Sequence, residues 1–542
     1  MNIDRLFPCL CWPRPTRVSL KRDAYAGISV GLVLIPQSIA YATLAGMPPE
    51  TGLYAALLPA VIGILWGSSA LLATGPVALS SLLVAGSLQP MAVQGSYLWV
   101  ALAVWLSIYA GIIQMLLGIF RLGIVVNLFS HPVAVGFVTA AALIIVGAML
   151  PSFLSLSGIS VADFSSLSHV QFYGPLTLLV LVSMKRLTPK LPGILIMTTL
   201  GICLSWWFDF ASIGGSVVGQ VPRGLPSIAL PGEVRMDQHL ALLPAAIVIA
   251  LVSFTEAMSS GRMLSRKVGS RWDANQELIG QGLAKIASGV SGAFPVSGSF
   301  SRSAMNHFSG AVSGWASLFA AACVSICLLF LTDVIYYLPR PVLAATVIAS
   351  VLPLIKPAAF RDLFSCSWGD GIVAMFTFIA TLFMSPKIHW GVLAGVTLTV
   401  ALYFYRHVQP RIIEVAPHPD GTFRDRQRFN LPPLAADLLA VRIDATLDFL
   451  TGSALEKFIE EQCARKTAIR RVLLCIGSVN GIDSSGVETL RSLHQLLEEK
   501  GRVLYLSAPK KQVWEILEKS RVLELVGLTR VFLTDREAFN AI

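Results

Sequence analysis

The scarcest property of this 542-residue chain is charge: Asp, Glu, Lys and Arg make up 13% of it, against about 25% in an average soluble domain. The shortage is local. No Lys or Arg lies between Asp23 and Phe120, and none between Arg121 and Lys185, whereas charges become frequent after Arg406. With 55% hydrophobic residues and a mean hydropathy of +0.70, the chain reads as a polytopic membrane protein to about residue 405 and as soluble protein from about 438. Other absences narrow the function. The cysteines (Cys9, Cys11, Cys203, Cys323, Cys327, Cys366, Cys463 and Cys475) offer no pairs at zinc-ligand spacing, so neither metal nor disulfide is expected. No Ser/His/Asp or Cys/His set and no P-loop occurs, so the chain is read as a non-enzyme without cofactor. No basic tract interleaves with aromatics, so the net charge of +10 does not indicate nucleic acid. No cleavage-like site follows Arg14, Arg17, Lys21 and Arg22; these charges belong to a cytoplasmic N-terminus, residues 1–22, rather than a signal peptide.

Apolar runs of roughly 20 residues, some shorter, divide residues 23–405 into fourteen predicted spans, near 25–43, 52–67, 76–88, 97–119, 131–150, 171–184, 191–208, 240–261, 276–290, 299–310, 313–334, 342–356, 370–385 and 390–405. Orientation agrees with the count. Basic residues follow the even-numbered spans: Arg121, then Lys185, Arg186 and Lys190, then Arg262, Arg266, Lys267 and Arg271, then Lys356 and Arg361, then Arg406 and Arg411. The expected outer loops 87–96 and 151–170 have none. An even count places both termini in the cytoplasm.

One polar stretch interrupts this apolar region: Gly292-Ala-Phe-Pro-Val-Ser-Gly-Ser-Phe-Ser-Arg-Ser-Ala-Met-Asn306. Pro295 and Gly298 should stop a helix, and Ser297 or Ser299 should cap a new one carrying Phe300, Ser301 and Arg302 in its first turn. A half-helix N-terminus inside the bilayer presents free N–H groups and a positive dipole end; Arg302 adds a full charge. The third span also starts at a break, Thr74-Gly75-Pro76-Val77-Ala78. Spans three and ten hold the same rank in two sets of seven, the arrangement of inverted repeats whose broken helices face each other around a binding site. Gln37 and Tyr41, four residues apart beside Pro36, share one face of span one and present donors either to an oxyanion or to a neighbouring helix. Glu256, deep in span eight, is expected to carry a proton or to pair with Arg302. Lys285 is expected to snorkel to the cytoplasm. Residues 406–437, with Pro410, Pro417, Pro419, Pro432 and Pro433, read as a linker. Residues 438–542 alternate strand and helix patterns, an α/β sandwich large enough for its own core. Its turn Gly481-Ile-Asp483-Ser-Ser485-Gly486 opens a helix, with Asp483 or Ser484 as cap.

Several motifs together resemble the SulP anion transporters: Leu34-Ile-Pro-Gln-Ser-Ile-Ala-Tyr-Ala42, Gly52-Leu-Tyr-Ala-Ala56, Thr74-Gly-Pro-Val-Ala78, Asp273-Ala-Asn-Gln-Glu-Leu278 and Gly298-Ser-Phe-Ser-Arg-Ser303. The tail resembles a STAS domain. The resemblance implies a polytopic α-helical membrane protein of fourteen spans in two inverted seven-span repeats, with a core (spans 1–4 and 8–11), a gate (spans 5–7 and 12–14) and a small cytoplasmic α/β STAS domain. It implies an anion site formed by Gln37, Tyr41, Val77, Ala78, Phe300, Ser301 and Arg302, with Glu256 coupling transport to protons. It further implies a homodimer in the cell membrane and regulation through the STAS domain, where Ser485 matches a serine phosphorylated in free-standing STAS proteins. Thr51 stands where many members carry an aromatic, and Lys285 where asparagine is commoner. The expected function is secondary transport of sulfate or a similar small oxyanion by proton symport and elevator-like movement. Bicarbonate or dicarboxylate transport, an uncoupled anion channel, and a membrane-anchored STAS regulator are the alternatives.

Overall fold

The computed structural model describes residues 8–12, 14–124, 129–155, 169–188, 192–212, 214–228, 232–420 and 422–542; Lys190, the start of the N-terminus and most of the expected outer loop 151–170 lie outside them. The chain forms two compact units, Met1–Thr399 and Val400–Ile542.

The first unit is helical. Its elements are α1 (Arg17–Leu44), α2 (Pro49–Trp66), β1 (Ala73–Gly75), α3 (Ala78–Leu88), α4 (Tyr97–Ile119), α5 (His131–Phe153), α6 (Tyr173–Leu187), α7 (Gly193–Trp207), α8 (Met236–Val268), α9 (Ala274–Val290), β2 (Ser297–Ser299), α10 (Phe300–Phe308), α11 (Trp315–Phe330), α12 (Thr332–Ile335), α13 (Arg340–Val351), α14 (Pro357–Cys366), α15 (Trp368–Phe383) and α16 (Ile388–Val408). Every expected span coincides with a helix. Among the described residues seven helical stretches are long and apolar enough to cross a membrane, and four further apolar helices are shorter. The sequence did not announce α14, a ten-residue amphipathic helix with no buried residue. Helix α8 runs past its expected end, so Arg262, Arg266 and Lys267 sit on its last turns; Gly269, at φ 73°, closes it in the left-handed conformation.

Packing between these helices relies on missing side chains, as expected where the surrounding solvent is as apolar as the interface. α4 lies along α9 through Gly111 and Gly118 on one helix and Gly282 and Gly289 on the other; a Cβ on Gly282 would stand 2.6 Å from Met115 N and 2.7 Å from Gly111 O. Gly27 and Gly31 bring α1 against α11 in the same way, and Gly136 brings α5 against α15. α2 packs on α1, α9 and α11, and α8 packs on α4. Separately, α13 packs on α5 and α6, while Gly391 and Gly395 seat α16 on Thr381 and Thr377 of α15. The junction between these two sets is chiefly α13 against α1.

The second unit is a six-stranded sheet with order β4-β3-β5-β6-β7-β8: β3 (Ile412–Pro417), β4 (Phe423–Asp425), β5 (Leu438–Ile443), β6 (Arg471–Cys475), β7 (Val503–Ser507) and β8 (Val531–Phe532). β5 to β8 are parallel; β3 and β4 are antiparallel additions. Helices α17 (Gly452–Arg465), α18 (Ser484–Glu499), α19 (Lys511–Lys519), α20 (Val522–Val526) and α21 (Asp535–Ala541) complete it. Val441, Leu455, Ile459, Leu474, Leu490 and Leu506 are central to its core. The reading of 406–437 as a linker is corrected here. Ile412-Ile-Glu414 pairs with β5 (Ile412 opposite Ile443), and Val415-Ala-Pro417 pairs with β4 (Val415 opposite Asp425). Proline density hid these strands, yet Pro410 precedes β3 and Pro417 ends it, positions that remove no interior ladder bond.

The close α4–α9 crossing predicts the effect of filling it. Gly282→Val should destabilise the protein by about 1–3 kcal/mol, because backbone rather than a flexible side chain stands in the way. Thermal unfolding of the purified protein checks this; an unchanged midpoint would contradict the crossing.

Candidate functional site

Two short strands bring the broken segments together. Ala73 faces Ser299, Thr74 faces Gly298 and Gly75 faces Ser297 in an antiparallel ladder. Each strand feeds a helix, β1 into α3 and β2 into α10, from opposite ends of the ladder. Both helices therefore point their N-termini back toward the ladder. α3 starts at Val77 without a side-chain cap, while α10 is capped by Ser299, whose Oγ accepts from Arg302 N at 3.5 Å. Ser297, the other cap that the sequence allowed, instead donates to Ser253 O of α8 at 2.7 Å.

Arg302 is 2% exposed, and its Nε and Nη2 have no hydrogen-bond partner among the described residues. Nη2 lies 3.2 Å from the position a Cβ on Gly75 would take, so the guanidinium rests against the bare backbone of β1. Leu34 of α1 reaches the same point, at 3.8 Å. Further along α1, Gln37 and Tyr41 are buried; Ser350 on α13 and the charges of Arg302 and Glu256 act on Tyr41. Glu256 has its Oε2 buried without a partner, with Ser297 beside it and Arg302 and Lys285 acting on it electrostatically. The ion pair between Glu256 and Arg302 that the sequence allowed is not formed. Val77 and Ala78 are buried at the start of α3; Phe300 and Ser301 occupy the matching start of α10 with exposed side chains. A buried guanidinium with free donors, between two helix N-termini, is an incomplete hydrogen-bond set of the kind an oxyanion completes.

Lys285 corrects an expectation. It does not snorkel: it is fully buried on α9 and Nζ donates to Gln114 Oε1 of α4 at 2.6 Å. The close glycine crossing of α4 and α9 leaves its stem no route outward. The sequence reading also missed the groups that hold the ladder. Glu277, buried, accepts from Ser68 N (2.9 Å) and Ser69 N (3.1 Å), and from Gln281, which also donates to Thr74 Oγ1 at 2.8 Å. Ser303 Oγ accepts from Ala73 N at 2.8 Å. Asp23 caps the turn after α10, accepting from Val312 N (2.7 Å) and Ser313 Oγ (2.6 Å). Glu277 stood inside the Asp273–Leu278 motif, but only the fold shows that it clamps the loop into β1. In the second unit Asp483 is the α18 cap, accepting from Gly486 N at 2.8 Å, with Ser485 exposed in the first turn.

The profile of the sulfate permease family matches residues 20–377, and that of the STAS domain matches residues 433–538. The chain belongs to the sulfate permease family. The chloroplastic sulfate transporter 4.1 of Arabidopsis thaliana is 33% identical over 99% of this chain and 82% of its own length. A probable sulfate transporter of Mycobacterium tuberculosis is 29% identical over 96% and 95%. The murine Solute Carrier 26 family member A9 anion transporter in its inward-facing state shares the fold (TM-score 0.89, 21% identity, 100% of this chain and 95% of that one). The transmembrane domain of a cyanobacterial bicarbonate transporter does so over 71% of this chain and 98% of its own, with TM-score 0.58 and 20% identity. This member of the family is thus a multi-pass membrane transporter of anions with a C-terminal STAS domain, and not an enzyme.

Within the permease, Gly75→Ala tests the guanidinium placement. A methyl 3.2 Å from Nη2 should shift Arg302 and weaken anion binding by about tenfold, roughly 1.4 kcal/mol, without unfolding the protein. A binding isotherm identical to that of the original would place Arg302 elsewhere.

Proposed function

We propose that the protein carries sulfate, or a similar small oxyanion, across the cell membrane as a proton-coupled symporter. The observation that carries this reading is Arg302: a buried guanidinium with two unpartnered nitrogens, held where two helix N-termini converge. Its forked donors suit a tetrahedral oxyanion, and the N–H groups at Val77–Ala78 and Phe300–Ser301 add the dipole ends. Gln37 and Tyr41 supply further donors from α1. The names of the plant and mycobacterial relatives favour sulfate over bicarbonate as substrate.

Glu256 is the coupling acid in this reading. Its buried, unpartnered Oε2 is unfavourable as a lone carboxylate, and a proton there leaves Arg302 free for the anion. Movement is elevator-like, with the helices of spans 1–4 and 8–11 as core and those of 5–7 and 12–14 as gate. The tendency of each group to pack within itself, with α13 against α1 as the main junction, supports that division. Both termini lie in the cytoplasm, following the basic residues after even-numbered spans. The working unit is a homodimer, and the STAS domain, through the Asp483–Ser485 helix start, is its regulatory contact.

Uptake into proteoliposomes tests the function. Labelled sulfate should accumulate under an inward proton gradient; accumulation of bicarbonate or a dicarboxylate with no sulfate would reject the substrate, and current without accumulation would reject coupling. Arg302→Ala should weaken sulfate binding by roughly 100-fold, the loss of charge-assisted donors worth about 3 kcal/mol; unchanged affinity removes Arg302 from the site. Glu256→Gln mimics the protonated acid. Sulfate binding should persist while proton-driven accumulation disappears, and accumulation that still follows the pH gradient would exclude Glu256 as the coupling group.

A further inference from the structure

Lys285 is a charge that the transport reading has not used. It is fully buried, and its ammonium has one identified hydrogen-bond partner, the neutral amide oxygen Gln114 Oε1 at 2.6 Å. The Nε2 of Gln114 is itself buried and unpartnered. Among the described residues no carboxylate pairs with Lys285. The residue lies on a stripe of α9 that faces the ladder: Gln281, one turn before it, donates to Thr74 Oγ1 of β1, and Ser288, one turn after, donates to Phe294 O ahead of β2. Its neighbours in charge are few. α4 carries no ionisable acid or base beyond its tyrosines. On α8 the group that acts on it is Glu256, which Arg302 of α10 also acts on; on α9 itself Glu277 lies two turns back, with its oxygens already engaged by Ser68, Ser69 and Gln281. A buried lysine held only by a neutral amide is costly in its charged form, and a purely structural strut would be better served by an apolar side chain, so its presence points to a use for the ammonium.

We infer that Lys285 is a specificity-determining residue: its unpaired buried charge, standing behind Glu256 and the β1–β2 ladder, selects divalent over monovalent oxyanions at Arg302. The inference rests on the anion site proposed above. Its physics is Coulombic. The energy between Lys285 and a bound anion scales with the product of charges, so removing the lysine charge acts twice as strongly on a divalent anion as on a monovalent one. Through an effective dielectric of about 20, a single charge acting from about 12 Å is worth roughly tenfold in affinity for a monovalent anion and roughly the square of that, about hundredfold, for a divalent one. Arg302 grips the anion; Lys285 makes no contact with it and sets the valence the pocket favours.

The test measures sulfate and nitrate affinities of the purified full-length protein and of three variants. Lys285→Met removes the charge. Gln114→Glu leaves the lysine in place but gives it a carboxylate, and whichever side keeps the proton the pair is neutral. Lys285→Arg retains the charge. Sulfate-over-nitrate selectivity should fall about tenfold in Lys285→Met and in Gln114→Glu, and stay near its original value in Lys285→Arg. If Lys285→Met does not fold, Gln114→Glu decides alone. Equal losses for both anions would mean a structural role and would overturn the inference, as would unchanged selectivity in the neutralised variants. Failure of the original protein to bind either anion would instead overturn the proposed anion site, and this inference with it.

Discussion

The pairing of Ala73–Gly75 with Ser297–Ser299 is the contact on which the rest of the membrane unit depends. Three residue pairs join segments more than 200 positions apart and set the start of two half-helices. Without the ladder, the extended backbone on either side would be unpaired at membrane depth, where each lost hydrogen bond is unfavourable by several kcal/mol. With it, the chain gains two helix N-termini facing the ladder, which no continuous helix offers. Gly75 and Gly298 make the ladder possible by leaving space for Arg302 on one side and for the α8 backbone at Ala257 on the other.

Buried charges in this unit fall into two kinds. Glu277 and Asp23 are fully engaged: each accepts several donors and ties a loop to a helix start, one ahead of β1 and the other after α10. Arg302, Glu256 and Lys285 are not. Each keeps buried polar capacity unused or balanced only by a neutral group, and all three lie around the ladder. A protein that could satisfy Glu277 so completely had the means to satisfy these as well. In the proposed reading, that incompleteness is what the anion and the proton complete.

Much of this was readable from residue order alone. Apolar runs located the helices, basic residues oriented them, and the breaks at Gly75-Pro76 and Pro295–Gly298 marked the ladder because proline and glycine interrupt helices wherever they fall. What stayed hidden depended on contacts distant in sequence. Lys285 read as a lysine that snorkels to the cytoplasm until its crossing with α4 was known; Glu277 stood in a motif with no role of its own. The strands at Ile412–Pro417 and Phe423–Asp425 were masked by prolines that in fact flank the pairing or end it. Arg302 and Glu256 were visible as charges in apolar surroundings, but their lack of a mutual ion pair was not.

The central claim is that the anion sits at Arg302 between the two helix starts. Its most direct test is the structure of the protein with selenate, a sulfate analogue whose selenium can be located by anomalous scattering. The account predicts selenate bound at Arg302, its oxygens within hydrogen-bonding distance of the guanidinium and directed toward the N–H groups at Ala78 and Ser301. Selenium found only at the surface arginines near the end of α8, with the Arg302 region empty, would contradict it.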